Sequence, residues 1–255
     1  MNWSLLIDVP RPGWENMAID CALLDLAARE GAAFLRLYRW EPHCLSFGRN
    51  EPATRRYDRE RIEALGLDCV RRPTGGRAVW HARELTYSVT APLALFGGLR
   101  AAYRRIHEML AAALERLGAT PALALAGSGT LPPSAGPCFS APVGGEVLLA
   151  DHKVVGSAQL RQEEAFLQHG SMLLTDDQTL VRTLAGLSEA PCGETSLAEA
   201  LARPVEFDEA ATAVATAATV YLGPLTEQRG LATSIHAAAD NHAERFQDPA
   251  WTWRR

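Results

Sequence analysis

Cys138 lies between Pro137 and Phe139 in a stretch, Ala126 to Gly145, with five glycines, four prolines and three serines in twenty positions. That composition predicts an irregular loop and an accessible thiol. A free thiol with a pKa near ~8.5 is only a few per cent thiolate at neutral pH, so a nucleophilic cysteine needs a cation or donor beside it. Lys153, fifteen positions on, opens Lys153-Val154-Val155-Gly156-Ser157-Ala158-Gln159 and would return to Cys138 if the Glu146 to Ala150 segment doubles back. Two bland readings stand beside this: a cysteine as a small apolar filler, and a lysine solvated at a strand start.

The second candidate block is Arg71-Arg72-Pro73-Thr74-Gly75-Gly76-Arg77-Ala78-Val79-Trp80-His81. Gly75 and Gly76 remove side chains at a bend and let backbone N–H groups approach a carbonyl or carboxylate. A plain glycine hairpin with solvated arginines fits the same letters. The third block is Leu167-Gln168-His169-Gly170-Ser171, where His169 reads as a general base, a substrate-positioning donor or a satisfied core histidine. His81 is equally open. No histidine pair has HxxxH metal spacing, and neither GxGxxG nor GxxxxGK[ST] occurs, so no metal and no nucleotide loop are expected.

The chain has 255 residues, 47% of them hydrophobic, enough to bury a substantial core as one domain over 1–255. A formal charge of -5 argues against a general nucleic-acid binder. The five cysteines, Cys21, Cys44, Cys69, Cys138 and Cys192, form no CxxC pair and read as thiols in a reducing cytoplasm. No signal-like or membrane-length apolar run is present, so a cytoplasmic protein is expected.

Helical spacing of Met17, Ala18, Cys21, Leu24 and Ala28 predicts a first helix over Met17 to Glu30. Strands are expected at Ala33 to Trp40, His43 to Phe47, Asp68 to Arg72, Glu84 to Thr90, Glu146 to Ala150, Lys153 to Ser157 and Ala165 to Leu174, with Asp151-His152 as a hairpin turn. Tyr103 to Leu117 is the clearest helix, with an Ile106, Leu110, Ala113, Leu114, Leu117 stripe, a glycine stop at Gly118, and His107 inside it. Further helices are expected at Asp58 to Ala64, Asp177 to Leu184, Ser196 to Ala202, Phe207 to Leu222 and Leu231 to Phe246. Strands grouped first and helices gathered late favour an α+β fold whose sheet is covered on one face.

Together the three blocks resemble the lipoyl/octanoyl branch of the biotin and lipoate protein ligase family, and within it the cysteine-dependent octanoyltransferases. The likeness runs from about Met17 to Leu174, through Trp40-Glu41-Pro42 and Leu45-Ser46-Phe47-Gly48, with a weaker echo at Trp251. It implies a mixed, largely antiparallel sheet packed with helices, similar to class II synthetase cores. It also implies Cys138 and Lys153 as catalytic residues, and Arg72, Gly75, Gly76, Arg77, Val79, His81, Val155, Gly156, Ser157, Ala158, His169 and Gly170 as substrate-binding ones.

The implied reaction moves an octanoyl group from an acyl carrier protein, through a Cys138 thioester, to a lysine of a lipoyl domain such as a glycine cleavage H-type protein. No cofactor is implied. Arg71, Arg72, Arg77 and Arg83 would then face an acidic carrier. Two other readings remain: an ATP-dependent lipoate ligase, in which Cys138 is dispensable, and a non-catalytic acyl or carrier-domain binder. Many ligases carry an accessory domain, and the stretch after Phe246 is too short to build one.

Overall fold

The structure is a computed structural model and describes residues 2–124, 145–175, 178–187, 193–228 and 230–254. The chain starts with β1 (Trp3–Ile7), α1 (Gly13–Glu30), β2 (Phe34–Tyr38) and β3 (Cys44–Phe47). Gly31, in the left-handed region at φ 70°, ends α1. Two short helices, α2 (Ala53–Arg56) and α3 (Arg59–Ala64), lead to β4 (Asp68–Arg71), β5 (Val79–His81) and β6 (Glu84–Pro92). The long α4 (Leu99–Arg116) precedes β7 (Pro121–Leu123), β8 (Val147–Leu149), β9 (His152–Lys153), β10 (Val155–Gln162) and β11 (Ala165–Leu173). The last elements are α5 (Thr179–Leu184), α6 (Leu197–Leu201), α7 (Phe207–Tyr221), β12 (Leu225–Gln228), α8 (Thr233–Gln247) and α9 (Pro249–Thr252).

The main sheet has the order β10-β11-β6-β2-β1-β12. Its β10, β11, β6 and β2 run antiparallel to one another, whereas β1 is parallel to both β2 and β12. The α+β class is what the order of elements implied, and the mixed, mostly antiparallel sheet is what the family resemblance implied. The expected single covered face is not found: alternation along β6 sends Leu85, Tyr87 and Val89 against α4 and α7, while Ser88 turns to α1 on the opposite face. On the first face Ile106, Leu110 and Ala113 of α4 meet Ala210, Val214 and Ala217 of α7, the small side chains allowing close approach. On the second, Met17, Ile19 and Leu23 of α1 pack with Ile235 and Phe246 of α8. Two of the long helices, α1 and α4, therefore precede half of the strands, and chain order did not reveal which face each covers.

A smaller sheet, β4-β3-β5, and the ribbon β7-β8-β9 complete the scaffold. The predicted hairpin turn lies one position earlier than expected. Ala150 and Asp151 take φ 48° and 66°, both positive as a type I′ turn requires, and His152 is already in β9. Lys153 ends that short strand instead of opening the next one. Its backbone is pinned to the segment around Glu194, by Lys153 N–H to the Gly193 carbonyl at 2.9 Å and Thr195 N–H to the Lys153 carbonyl at 3.1 Å.

Candidate active site

The loop between β4 and β5 is held against β3 by backbone proximity. A Cβ on Gly48 would stand 1.9 Å from the Gly76 carbonyl oxygen, and Arg49 N–H donates to the Thr74 carbonyl at 2.7 Å. Gly76, at φ 90°, supplies a bend that an L side chain resists. The glycines thus admit a neighbouring strand of the protein itself. Arg72 fastens the inside of the loop, donating to the Ser46 carbonyl at 2.8 Å, to Ser46 Oγ at 2.6 Å and to the Arg77 carbonyl at 2.8 Å. Arg71, fully buried, donates to the carbonyls of Gly48, Glu51 and Arg254 at 2.7 to 2.8 Å. Both guanidiniums are committed to the backbone, so the expectation that they face a carrier protein is corrected; Arg83 is exposed and Arg77 half-buried.

Between the main sheet and the β4-β3-β5 sheet lies a narrow slot. The main sheet contributes Gly156, Ala158, His169, Gly170 and Ser171, and the small sheet and its loop contribute Arg72, Val79 and His81. Register creates this wall: Gly156 pairs with Ser171 and Ala158 with His169 across the β10–β11 ladder. Trp40 stacks on His81 with ring centroids 4.1 Å apart.

Polar side chains in the slot are largely engaged with one another. His169 Nδ1 meets Asp20 Oδ2 at 2.9 Å and its Nε2 meets Thr74 Oγ1 at 2.7 Å. Tyr38 donates to Asp20 at 2.9 Å, and Trp40 Nε1 donates to Thr86 Oγ1 at 2.7 Å. Thr86 and Ser171 in turn donate to Glu84, and His81 Nε2 sits 2.6 Å from Ser46 Oγ. A lining whose polar atoms face each other presents mainly carbon to a guest. His81 Nδ1 is the exception, buried with no hydrogen bond, and burial pushes its imidazole down, outweighing nearby Glu84. Burial would raise the Asp20 carboxyl, but His169 and Arg36 hold it below its ordinary value.

Lys153 stands behind this wall. Its ammonium is 2.5 Å from Glu146 Oε1, with the two residues 2% and 4% exposed. Val155 is wholly buried in the core against α4, and Ser157 turns its hydroxyl to the same side, toward Tyr87 and His107. Gly75, Gly76 and Arg77 line a separate groove with Pro52 and Arg56, divided from the slot by the Arg72 guanidinium. The structure therefore gathers Arg72, Val79, His81, Gly156, Ser157, Ala158, His169 and Gly170 and places Lys153, Val155, Gly75, Gly76 and Arg77 outside the slot.

Cys138 and Cys192 lie outside the described residues. Burial pushes the other thiols up, Cys21 and Cys69 to about 12 and Cys44 well above its ordinary value, so none of these three is a ready nucleophile. No group of three or more His, Cys, Asp or Glu residues suited to a metal occurs among the described residues, and none of their helices is long and apolar enough to cross a membrane. Sequence reasoning did not single out Asp20, Arg36, Glu84 or His107 as site residues.

Residues 12–219 match the family model of the lipoyl protein ligase A/B catalytic domain. The chain belongs to this family. It is 40% identical to the octanoyltransferase LipM of Symbiobacterium thermophilum, over 87% of each chain. With that of an Exiguobacterium species it shares 34% identity over 99% of this chain and 98% of the relative. Among solved structures it is similar to a lipoate-protein ligase A bound with ATP, at TM-score 0.82 and 18% identity over 99% of both chains. The putative lipoate protein ligase Ta0514 of T. acidophilum with bound lipoic acid matches at TM-score 0.79 and 20% identity, again over 99% of both. At such identities these two structures establish the shared fold alone.

Proposed function

We propose that this protein is an octanoyltransferase acting in lipoate biosynthesis, taking octanoyl from an acyl carrier protein and delivering it to a lysine of a lipoyl domain. The observation that carries the reading is identity of 34 to 40% to octanoyltransferases over most of both chains. The slot agrees with it, since walls with internally satisfied polar groups suit an alkyl chain, each buried CH2 contributing about 0.8 kcal/mol.

In this reading the Cys138 thiolate attacks the octanoyl thioester carbonyl. A C–S bond to Cys138 forms as the carrier's C–S bond breaks, and the departing pantetheine thiolate takes up the proton released by Cys138. The neutral amine of a lipoyl-domain lysine then attacks the acyl enzyme, forming the amide, while its lost proton restores the Cys138 thiol. Thioester is exchanged for thioester, so acyl activation is preserved and no nucleotide enters. Lys153, held by Glu146 outside the slot, would favour the thiolate and stabilise the oxyanion only where the reacting carbonyl reaches it, a role of about 2.7 to 4 kcal/mol for one well-placed donor.

Cys138 is seven positions from Gly145, a reach of at most about 25 Å. Gly145 itself is tied to His107 beside Lys153. Val79, His81, Gly156, Ala158, His169 and Gly170 would wall the chain. A glycine cleavage H-type protein is the proposed acceptor.

The test is incubation of pure protein with octanoyl carrier protein and a lipoyl domain, without nucleotide, followed by intact mass. Octanoylation of the acceptor through a hydroxylamine-labile enzyme adduct is expected. Robust product from ATP and free octanoate that survives Cys138→Ala would place the activity with the ligases.

A further inference from the structure

His107 sits in α4 on the core stripe of Ile106, Leu110 and Ala113, at zero exposure. An apolar side chain would fill that space without the cost of burying two ring nitrogens. Both nitrogens are used: Nδ1 lies 2.6 Å from the Gly145 carbonyl and Nε2 lies 2.8 Å from Ser157 Oγ. A carbonyl only accepts, so Nδ1 carries the hydrogen. Burial pushes the imidazole down to about 4; the Gly145 carbonyl opposes that shift and the Lys153 ammonium adds to it. The ring is thus neutral at neutral pH, and its Nε2 lone pair accepts from the Ser157 hydroxyl.

That assignment orders a whole chain of bonds. Gln159 Nε2 donates to Gln168 Oε1 at 2.9 Å, Gln168 Nε2 to Tyr87 Oη at 2.9 Å, and Tyr87 to Ser157 Oγ at 2.7 Å. Ser157 donates to His107, and His107 to the Gly145 carbonyl. Gly170 is what lets the middle close, because a Cβ there would stand 2.8 Å from both Ser157 Oγ and the Tyr87 ring. One end of the chain is the strand that walls the slot. The other end is Gly145, the residue before Glu146, whose carboxylate holds Lys153.

We propose that His107 is a positioning residue for acyl transfer, tying the slot strand at Ser157 to Gly145 and so fixing the Glu146 carboxylate that orients the Lys153 ammonium. The role rests on the octanoyltransferase reading with Lys153 at its centre. It assigns His107 no contact with substrate and no proton transfer.

The experiment compares wild type, His107→Phe, His107→Gln and Ser157→Ala in single-turnover acylation by octanoyl carrier protein, together with amide exchange over residues 145–149. A displacement of about 1 Å costs on the order of 100-fold, so the phenylalanine variant, which fills the space and loses both bonds, should acylate at least about tenfold more slowly with little change in KM. Its 145–149 amides should exchange faster. Glutamine can donate at one end and accept at the other, and should restore both readouts to within about threefold. Ser157→Ala keeps His107 on Gly145 and should slow acylation by at least about threefold, which keeps the proposal testable if the phenylalanine variant does not fold. Equal rates in Phe and Gln variants, or an unaffected Ser157→Ala, would overturn the role of His107. An inactive wild type would instead overturn the octanoyltransferase reading, whatever the exchange data say.

Discussion

Removing Glu146 tests the frame behind the slot, because its pair with Lys153 is buried on both sides at 2.5 Å. Deleting one partner of such a pair leaves the other charge in a low-dielectric interior, a loss of about 3 to 5 kcal/mol. With a urea m-value of roughly 3 kcal/mol/M for a chain of this size, Glu146→Ala should lower the unfolding midpoint by about 1 M or more. The double variant Glu146→Leu/Lys153→Met removes both charges at similar volume and should recover stability to within about 1 to 2 kcal/mol of wild type. Single-turnover acylation should remain lost in both variants. Stability and chemistry then separate: the double variant folds well and does not acylate. A Glu146→Ala midpoint within about 0.2 M of wild type would refute the buried pair, since this corresponds to well under 1 kcal/mol. A double variant acylating at the wild-type rate would refute the need for Lys153.

Cys138→Ser should abolish acyl transfer while Cys69→Ser keeps it, as read by intact mass after incubation with octanoyl carrier protein; transfer surviving in the first variant would remove the thioester step. Gly48→Ala should lower Tm by roughly 3 to 10 °C, because the new Cβ meets the Gly76 carbonyl at 1.9 Å, whereas Gly75→Ala, with open space around it, should shift Tm by no more than about 1 °C. Stability should fall as pH drops from about 6.5 toward 4, since in that window the unfolded chain protonates His107 and the folded one resists; the shift from 6.5 to about 4 corresponds to roughly 3 kcal/mol, and His107→Gln should flatten this slope in urea titrations.

The long elements were legible where one face is apolar. The Ile106 to Leu117 stripe located α4, although the helix begins earlier, at Leu99. The first turns of α1 were missed because its Gly13, Asn16 and Asp20 are buried along with its apolar residues, which blurs the amphipathic period. Strands β1 and β12 were not anticipated. Trp3–Ile7 shows no clean alternation, and the four-residue Leu225–Gln228 is partly exposed, so each takes its identity from its parallel neighbour. The glycine turn was visible as a turn, but its closest partner, Gly48, is brought to it by the β3–β4 ladder.

The site was legible as motifs and not as a geometry. His169 and Asp20 are 149 positions apart, and only the stacking of α1 on the sheet brings them together. Yet Asp20, Arg36, His107 and Lys153 share one readable feature: each is a polar residue where the surrounding pattern calls for core. Asp20 stands between Ile19 and Cys21, Arg36 between Leu35 and Leu37, His107 beside Ile106, and Lys153 before Val154. A group with a charge or a ring nitrogen is tolerated there only if its partners are fixed. All four prove buried and bonded: Arg36 to Asp8 and Asp20, Asp20 to His169, His107 to Ser157, Lys153 to Glu146. The arginines at 71 and 72, at the buried end of β4, follow the same rule, and bond to the carbonyls of Gly48 and Ser46. Interruption of an apolar run by a polar residue is therefore a better guide to the frame around this site than the glycine-rich motifs, which mark where backbones meet.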